Sequence, residues 1–209
     1  YQDEVSIRYN SNMSKINYFG MNLFDDILSK FPHWNILASI DGAFEVGEYV
    51  RTGLKFNEWF KNMKHAKKFV KNRKQLRMDL TITMPGMVGL QEMLDTAEEL
   101  DVDLLAKRVF GFSADNIWSP MCLPRNLLDD IVDEFIDKNK KRLGKHIYFF
   151  SALQDLKKKP TYDQTYKENY AEGLAEGKKR VLQLDKIRNT NIENIIKRDS
   201  RILKWWKNI

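Results

Sequence analysis

A single cysteine, Cys122, stands in 209 residues. One thiol excludes a disulfide framework, and it cannot hold an iron–sulfur cluster that needs three thiolates. Histidine is also scarce: His33, His65 and His146 lie far apart, at no spacing that suits a metal site. No apolar run approaches the ~18 residues of a membrane span, so no membrane partner is expected. There is no phosphate-binding loop, no nucleophile elbow, no internal repeat and no low-complexity segment. The single cysteine fits a reducing cytoplasm, and a cytoplasmic location is the expectation.

What is present suffices for a core. Hydrophobic residues make up 43% of the chain, far from a disordered composition. The length corresponds to one domain, or to one domain with a small appendage. The formal charge of +6 permits an acidic partner without demanding one.

The pattern along the first half alternates. Val5 to Tyr9 reads as a strand, and Phe24 to Phe31 as an amphipathic helix ending near Pro32. Ile36 to Ile40 is a short apolar run of strand length. Phe56 to Val70 carries apolar residues at helical spacing. Leu76, Met78, Leu80, Ile82 and Met84 recur every second residue, which predicts a strand. Leu90 to Leu100 reads as a helix and Val102 to Phe110 as a further strand. Strands separated by helices of this length imply parallel βαβ units with right-handed crossovers. After Pro124 the pattern turns helical, over Leu127–Leu143, Ile147–Leu156, Tyr166–Ile187 and Ile192–Trp206. A boundary is expected near Gly144, beside a basic run.

The most informative stretch runs from Asn35 to Gly53. The strand Ile36–Ile40 stops in Asp41-Gly42, a turn dipeptide. A helix-like segment with Glu45, Glu48, Tyr49 and Arg51 follows. Ligands of parallel α/β folds sit at the C-terminal ends of strands. Ser39 and Asp41 therefore stand at a site edge, with Arg51 in reach. A hydroxyl, a carboxylate and a guanidinium suit a small ligand with a ribose and a carboxylate. From the residues alone, the favoured reading is the plainer one, a strand-end turn with an N-cap and a surface arginine.

Three segments in order, Asn10-Ser11-Asn12-Met13, Ser39-Ile40-Asp41-Gly42 and Glu48-Tyr49-Val50-Arg51-Thr52-Gly53, resemble radical S-adenosylmethionine enzymes of the SPASM or twitch branch. That branch shows Asn-Thr-Asn-Gly, then Ser-Ile-Asp-Gly, then Glu-Tyr-Ile-Arg and Gly. Leu184 to Ile192, LDKIRNTNI, is similar to the Leu-Asp-x-x-Arg ending of short twitch proteins. The resemblance covers roughly residues 4–195 and implies an α/β fold. Residues 1–143 would be the C-terminal part of a radical SAM-type parallel (β/α) barrel, and 144–209 a helical twitch-like extension. The family's [4Fe–4S] cluster sits on three cysteines spaced CxxxCxxC, which this chain lacks. The chain is thus expected to be a fragment whose cluster-binding segment lies elsewhere; a degenerate, cluster-free relative is the alternative.

The resemblance also implies roles. Ser39 and Asp41 would lie near the S-adenosylmethionine ribose, and Arg51 would pair with the ligand carboxylate. Asn10 and Asn12 would shape the same pocket, although the usual glycine after them is Met13 and the plainer reading of both asparagines is a turn. Val109, on the last strand, would contact the adenine. The complete protein would take one electron from a donor such as flavodoxin or ferredoxin. It would cleave S-adenosylmethionine to a 5′-deoxyadenosyl radical and abstract hydrogen from a peptide or small-molecule substrate. Auxiliary clusters are not expected.

Other groupings have plainer readings. Cys122, between prolines, reads as a buried structural thiol. Asp129, Asp130, Asp133 and Glu134 favour a helix N-terminus. Lys61, Lys64, Lys67, Lys68, Lys71, Arg73 and Lys74 form a solvated helix face, or else a surface for nucleic acid. Of Trp205 and Trp206, one is expected to pack inward and the other to remain half exposed. Two further function classes stay open: a cluster-free α/β binding module and a basic nucleic-acid-binding protein.

Overall fold

A computed structural model of the protein describes residues 2–209. In the first half, β1 (Ser6–Ser11) leads through a small hairpin, β2 (Asn17–Tyr18) and β3 (Met21–Asn22), to β4 (His33–Ile40). Then come α1 (Phe44–Val50), α2 (Phe56–Lys67), β5 (Leu76–Ile82), α3 (Leu90–Glu99) and β6 (Asp103–Arg108). The rest is helical: α4 (Arg125–Asn139), α5 (Ile147–Lys158), α6 (Tyr162–Thr165), α7 (Tyr170–Arg188), α8 (Ile192–Ile196) and α9 (Ser200–Lys207).

The protein is an α/β structure built on one parallel four-stranded sheet in chain order, β1-β4-β5-β6. This is the order that the alternating periods predict. Among the described residues, antiparallel pairing is confined to the β2–β3 hairpin, which the sequence did not announce.

Chain order has a consequence for the two faces. Each crossover advances in the same direction across the sheet, so right-handed connections land on one side. The strand register shows that side. Trp34, Ile36, Ala38 and Ile40 of β4 align with Leu76, Met78 and Leu80 of β5, and all are buried. They share one apolar cluster with Trp59 and Met63 of α2 and with Met93 and Leu94 of α3. Helical spacing of those apolar residues is what turns each helix toward the sheet.

The opposite face is polar and only half covered. Arg8 and Asn10 of β1 align with Asn35 and Leu37 of β4; Leu37 and Ser39 align with Arg77 and Asp79 of β5. Asp103, Leu105 and Lys107 continue the face on β6. Of these, Asp79 alone is buried. Parallel sheets are ordinarily covered on both sides; here the polar side stays partly open to solvent.

The helical half continues the same apolar cluster. Leu128 and Val132 of α4, Phe149 and Leu153 of α5 and Ile202 and Trp206 of α9 belong to it, and α5 lies against β6. Trp206 is buried and Trp205 half-buried, as their sequence position suggested. Three segments differ from expectation. Residues 23–30 form a widened turn and a short tight helix, capped by the Asn22 side chain, which accepts from Phe24 N (2.8 Å). The predicted helix Tyr166–Ile187 starts four residues later, after the short α6. The predicted helix Ile192–Trp206 splits in two. Asp199 restarts it by accepting from Arg201 N at 2.8 Å, an N-cap that apolar periodicity does not reveal.

His146 precedes α5 with its side chain fully buried and both ring nitrogens unpartnered. Burial pushes its pKa down, partly opposed by Glu98, whose Oε1 is 3.6 Å away. The unfolded chain therefore takes up this proton first as pH falls. The stability linked to neutral His146 is present above pH ~6.5 and is lost below it. Denaturant melts of wild type and His146→Gln between pH 7.5 and 5 should show wild type losing more stability on acidification. The excess slope is limited to about 1.4 kcal/mol per pH unit; parallel pH profiles would refute it.

Candidate functional site

The end of β4 is held by a tight sequence of backbone events. Asp41-Gly42 leaves the strand, and α1 begins two residues later with Phe44 at φ 47°. Gly47 of α1 lies directly against this turn. A Cβ there would come within 2.1 Å of the Gly42 carbonyl oxygen, so only glycine fits.

This packing returns Arg51, the C-cap of α1, to the strand end. Arg51 Nε donates to Asp41 Oδ2 at 2.7 Å, and Nη1 donates to the Ser39 carbonyl at 3.3 Å. The structure thus brings Ser39, Asp41 and Arg51 together at the C-terminal rim of the sheet. The Asp41 side chain is 14% exposed and that of Arg51 28%, so the cluster touches solvent. Ser39 projects onto the polar face beside Asp79. Lys107 Nζ pairs with Asp79 Oδ2, adding a second charged pair to the rim. Sequence reading missed Asp79 and Lys107. The signal for Asp79 was the off-phase series Arg77, Asp79, Thr81 and Thr83 that alternates with the apolar residues from Leu76 to Met84; Lys107 lies among the charges of β6.

The other residues of the Glu48–Arg51 segment also have partners. Glu48 Oε1 accepts from Phe56 N at 2.8 Å and so caps α2. Tyr49 is buried against Trp118, with ring centroids 6.0 Å apart. Its phenol is pushed far up, first by burial and then by the neighbouring Asp185 carboxylate. Asp185 belongs to the Leu184-Asp185-Lys186-Ile187-Arg188 segment. Its oxygens accept from Thr190 Oγ1 at 2.7 Å and from Ile192 N at 2.8 Å. Asp185 therefore joins the end of α7, the start of α8 and Tyr49 of α1.

Three predicted residues lie apart from this cluster or are already engaged. Asn10 is exposed on β1, over the polar face. Asn12 is exposed and closes a local turn, its Oδ1 accepting from Ser14 N (3.2 Å) and Ser14 Oγ (2.8 Å). Val109 follows β6 with both backbone groups bonded: its N–H donates to Ile82 O (3.0 Å), and its carbonyl accepts from Ser119 Oγ (3.1 Å). Met13 adopts φ 51°, a conformation natural to glycine, with its side chain in the core.

The chain itself does not fit an iron–sulfur cluster. Cys122 is fully buried, burial pushes its thiol well up, and Sγ lies 3.4 Å from the Ile117 carbonyl. Among the described residues, no group of three or more His, Cys, Asp or Glu side chains is placed to hold a metal. The acidic run on α4 is divided among separate cations: Asp129 with Arg125, Asp133 with Lys157 and Glu134 with Arg201. On and after α2, Lys64, Lys67 and Arg73 pair with Glu99, Asp101 and Asp103. Comparison with protein-family models, with curated proteins and with solved structures finds no match to this chain.

The Asp41–Arg51 bond should appear as a stability coupling. A double-mutant cycle with Asp41→Ala, Arg51→Ala and the double variant should give about 1 kcal/mol, the scale of a partly exposed charge-assisted bond. Strictly additive losses would show that the pair contributes nothing.

Proposed function

We propose that this chain is part of a radical S-adenosylmethionine enzyme and supplies a section of its barrel wall with the ribose and carboxylate contacts of S-adenosylmethionine. The observation that carries the reading is the meeting of Ser39, Asp41 and Arg51 at the C-terminal rim of a parallel sheet laid down in chain order. In such folds that rim is where ligands bind. A sheet with helices on one side and a polar opposite side also matches a piece of barrel wall whose polar side faces inward.

The rim has the right groups for this ligand. The Arg51 bond occupies Asp41 Oδ2, which leaves Oδ1 to accept from a ribose hydroxyl. Arg51 uses Nε and Nη1 internally, which leaves Nη2 for the ligand carboxylate. Ser39 offers its hydroxyl on the polar face. Arg51 also positions Asp41, since the same guanidinium holds the carboxylate in place. When bound, S-adenosylmethionine together with a reduced cluster supplies the one-electron chemistry by which hydrogen is removed from a peptide or small-molecule substrate. The cluster-binding cysteines belong to polypeptide outside residues 1–209, and an electron donor such as flavodoxin or ferredoxin is required. A nucleic-acid partner has less support, because Lys64, Lys67 and Arg73 already have acidic partners.

Two measurements test the reading. Anaerobic reconstitution of residues 1–209 should give no iron–sulfur absorption, whereas protein that includes a CxxxCxxC segment should reconstitute. In that longer protein, calorimetry should show Asp41→Ala and Arg51→Ala weakening S-adenosylmethionine binding about tenfold to a hundredfold. Cys122→Ala should leave it unchanged. Normal affinity in both rim variants would remove the ligand assignment and return these residues to a purely structural role.

A further inference from the structure

The polar face carries a hollow toward the N-terminal half of the strands. It is lined by Arg8 and Asn10 of β1, Asn35 and Leu37 of β4, and Arg77 of β5, together with Tyr9. Register sets Arg8 beside Asn35, Asn10 beside Leu37, and Leu37 beside Arg77. Alternation along each strand then puts these five residues on one side of the sheet.

The charges in the hollow are of one sign. Two guanidinium groups line it, and no carboxylate does. Asp103, the register neighbour of Arg77 on β6, is bonded by Arg73 instead. Arg77 is oriented by a neutral amide: its Nη2 donates to Asn35 Oδ1 at 3.2 Å, and Asn35 Nδ2 donates to the Lys74 carbonyl at 2.6 Å. The Nε of Arg77 is buried and has no hydrogen-bond partner. An unpaired buried donor on a charged group is costly. Arg8 is exposed and forms no ion pair among the described residues.

We infer that this hollow is an oxyanion subsite, which takes the carboxylate or phosphate group of a small molecule lying on the sheet face. The guanidinium fork of Arg77 offers two parallel N–H groups to such a group. Arg8 adds a second charge and Asn10 an amide donor, while Leu37 provides an apolar contact for the carbon skeleton. The subsite stands on the geometry of the sheet and does not depend on the S-adenosylmethionine reading. The two sites share a face, with Ser39 two residues beyond Leu37. Should both hold, the substrate of the complete enzyme is an anionic molecule whose charged end is anchored below the rim.

The test uses residues 1–209 at low ionic strength, titrated by calorimetry with inorganic phosphate and, separately, with malonate. Saturable binding of at least one anion is expected. Arg77→Gln and Arg8→Gln should each weaken it about tenfold or more, while Lys186→Gln on the distant α7 should leave it within about twofold. Preference for phosphate assigns a phosphorylated ligand, and preference for malonate a carboxylate. Arg8 is exposed, so its variant reports on the site even where Arg77→Gln disturbs the fold. Absence of saturable binding for both anions, or unchanged affinity in the Arg8→Gln protein, would overturn the proposal.

Discussion

Parallel pairing in chain order governs the rest of this molecule. Once β1, β4, β5 and β6 lie side by side in that sequence, every right-handed connection must fall on one face. That face receives the apolar half of each strand and the apolar stripes of α2 and α3. The other face keeps the residues between: Arg8, Asn10, Asn35, Ser39, Arg77, Asp79 and Lys107. An all-parallel sheet with one open polar side is uncommon among isolated folds. Its chemistry is rich in donors and in paired charge.

The rim of this sheet is held from behind. Gly47 lets α1 press against the Asp41-Gly42 turn, and the C-cap of α1 delivers Arg51 to Asp41 and to the Ser39 carbonyl. The same helix sends Tyr49 inward toward Asp185. Asp185 in turn fastens α7 to α8. Two segments separated by more than a hundred residues thus meet at one buried phenol and one buried carboxylate. The helical half is in this way tied to the end of β4.

Much of this was written in residue periods. The alternation of Leu76 to Met84 gave β5, and the return to period two after each helix gave a parallel order. Asp41-Gly42 marked the strand end, and the helix-like segment after it put Arg51 in reach. What stayed hidden depends on single side chains or on distant partners. The split between α8 and α9 rests on the Asp199 cap, which apolar spacing passes over. The β2–β3 hairpin is two residues per strand, below the length at which alternation can be read. Asn12 closes its own turn, which is the plainer of its two readings, whereas Val109, placed by resemblance, spends both backbone groups on neighbours. The polar face was legible in part, in the off-phase residues of β5. Its alignment across four strands required the register.

The central claim is that the rim formed by Ser39, Asp41 and Arg51 is where S-adenosylmethionine meets this chain. Nuclear magnetic resonance on isotopically labelled residues 1–209, titrated with S-adenosylmethionine, tests it directly and tolerates weak binding. Shifts concentrated at the backbone amides of Ser39 to Ala43 and of Arg51, fading toward α4, are the expected result. A spectrum unchanged at those amides, or perturbed only along α4 to α9, would contradict the account.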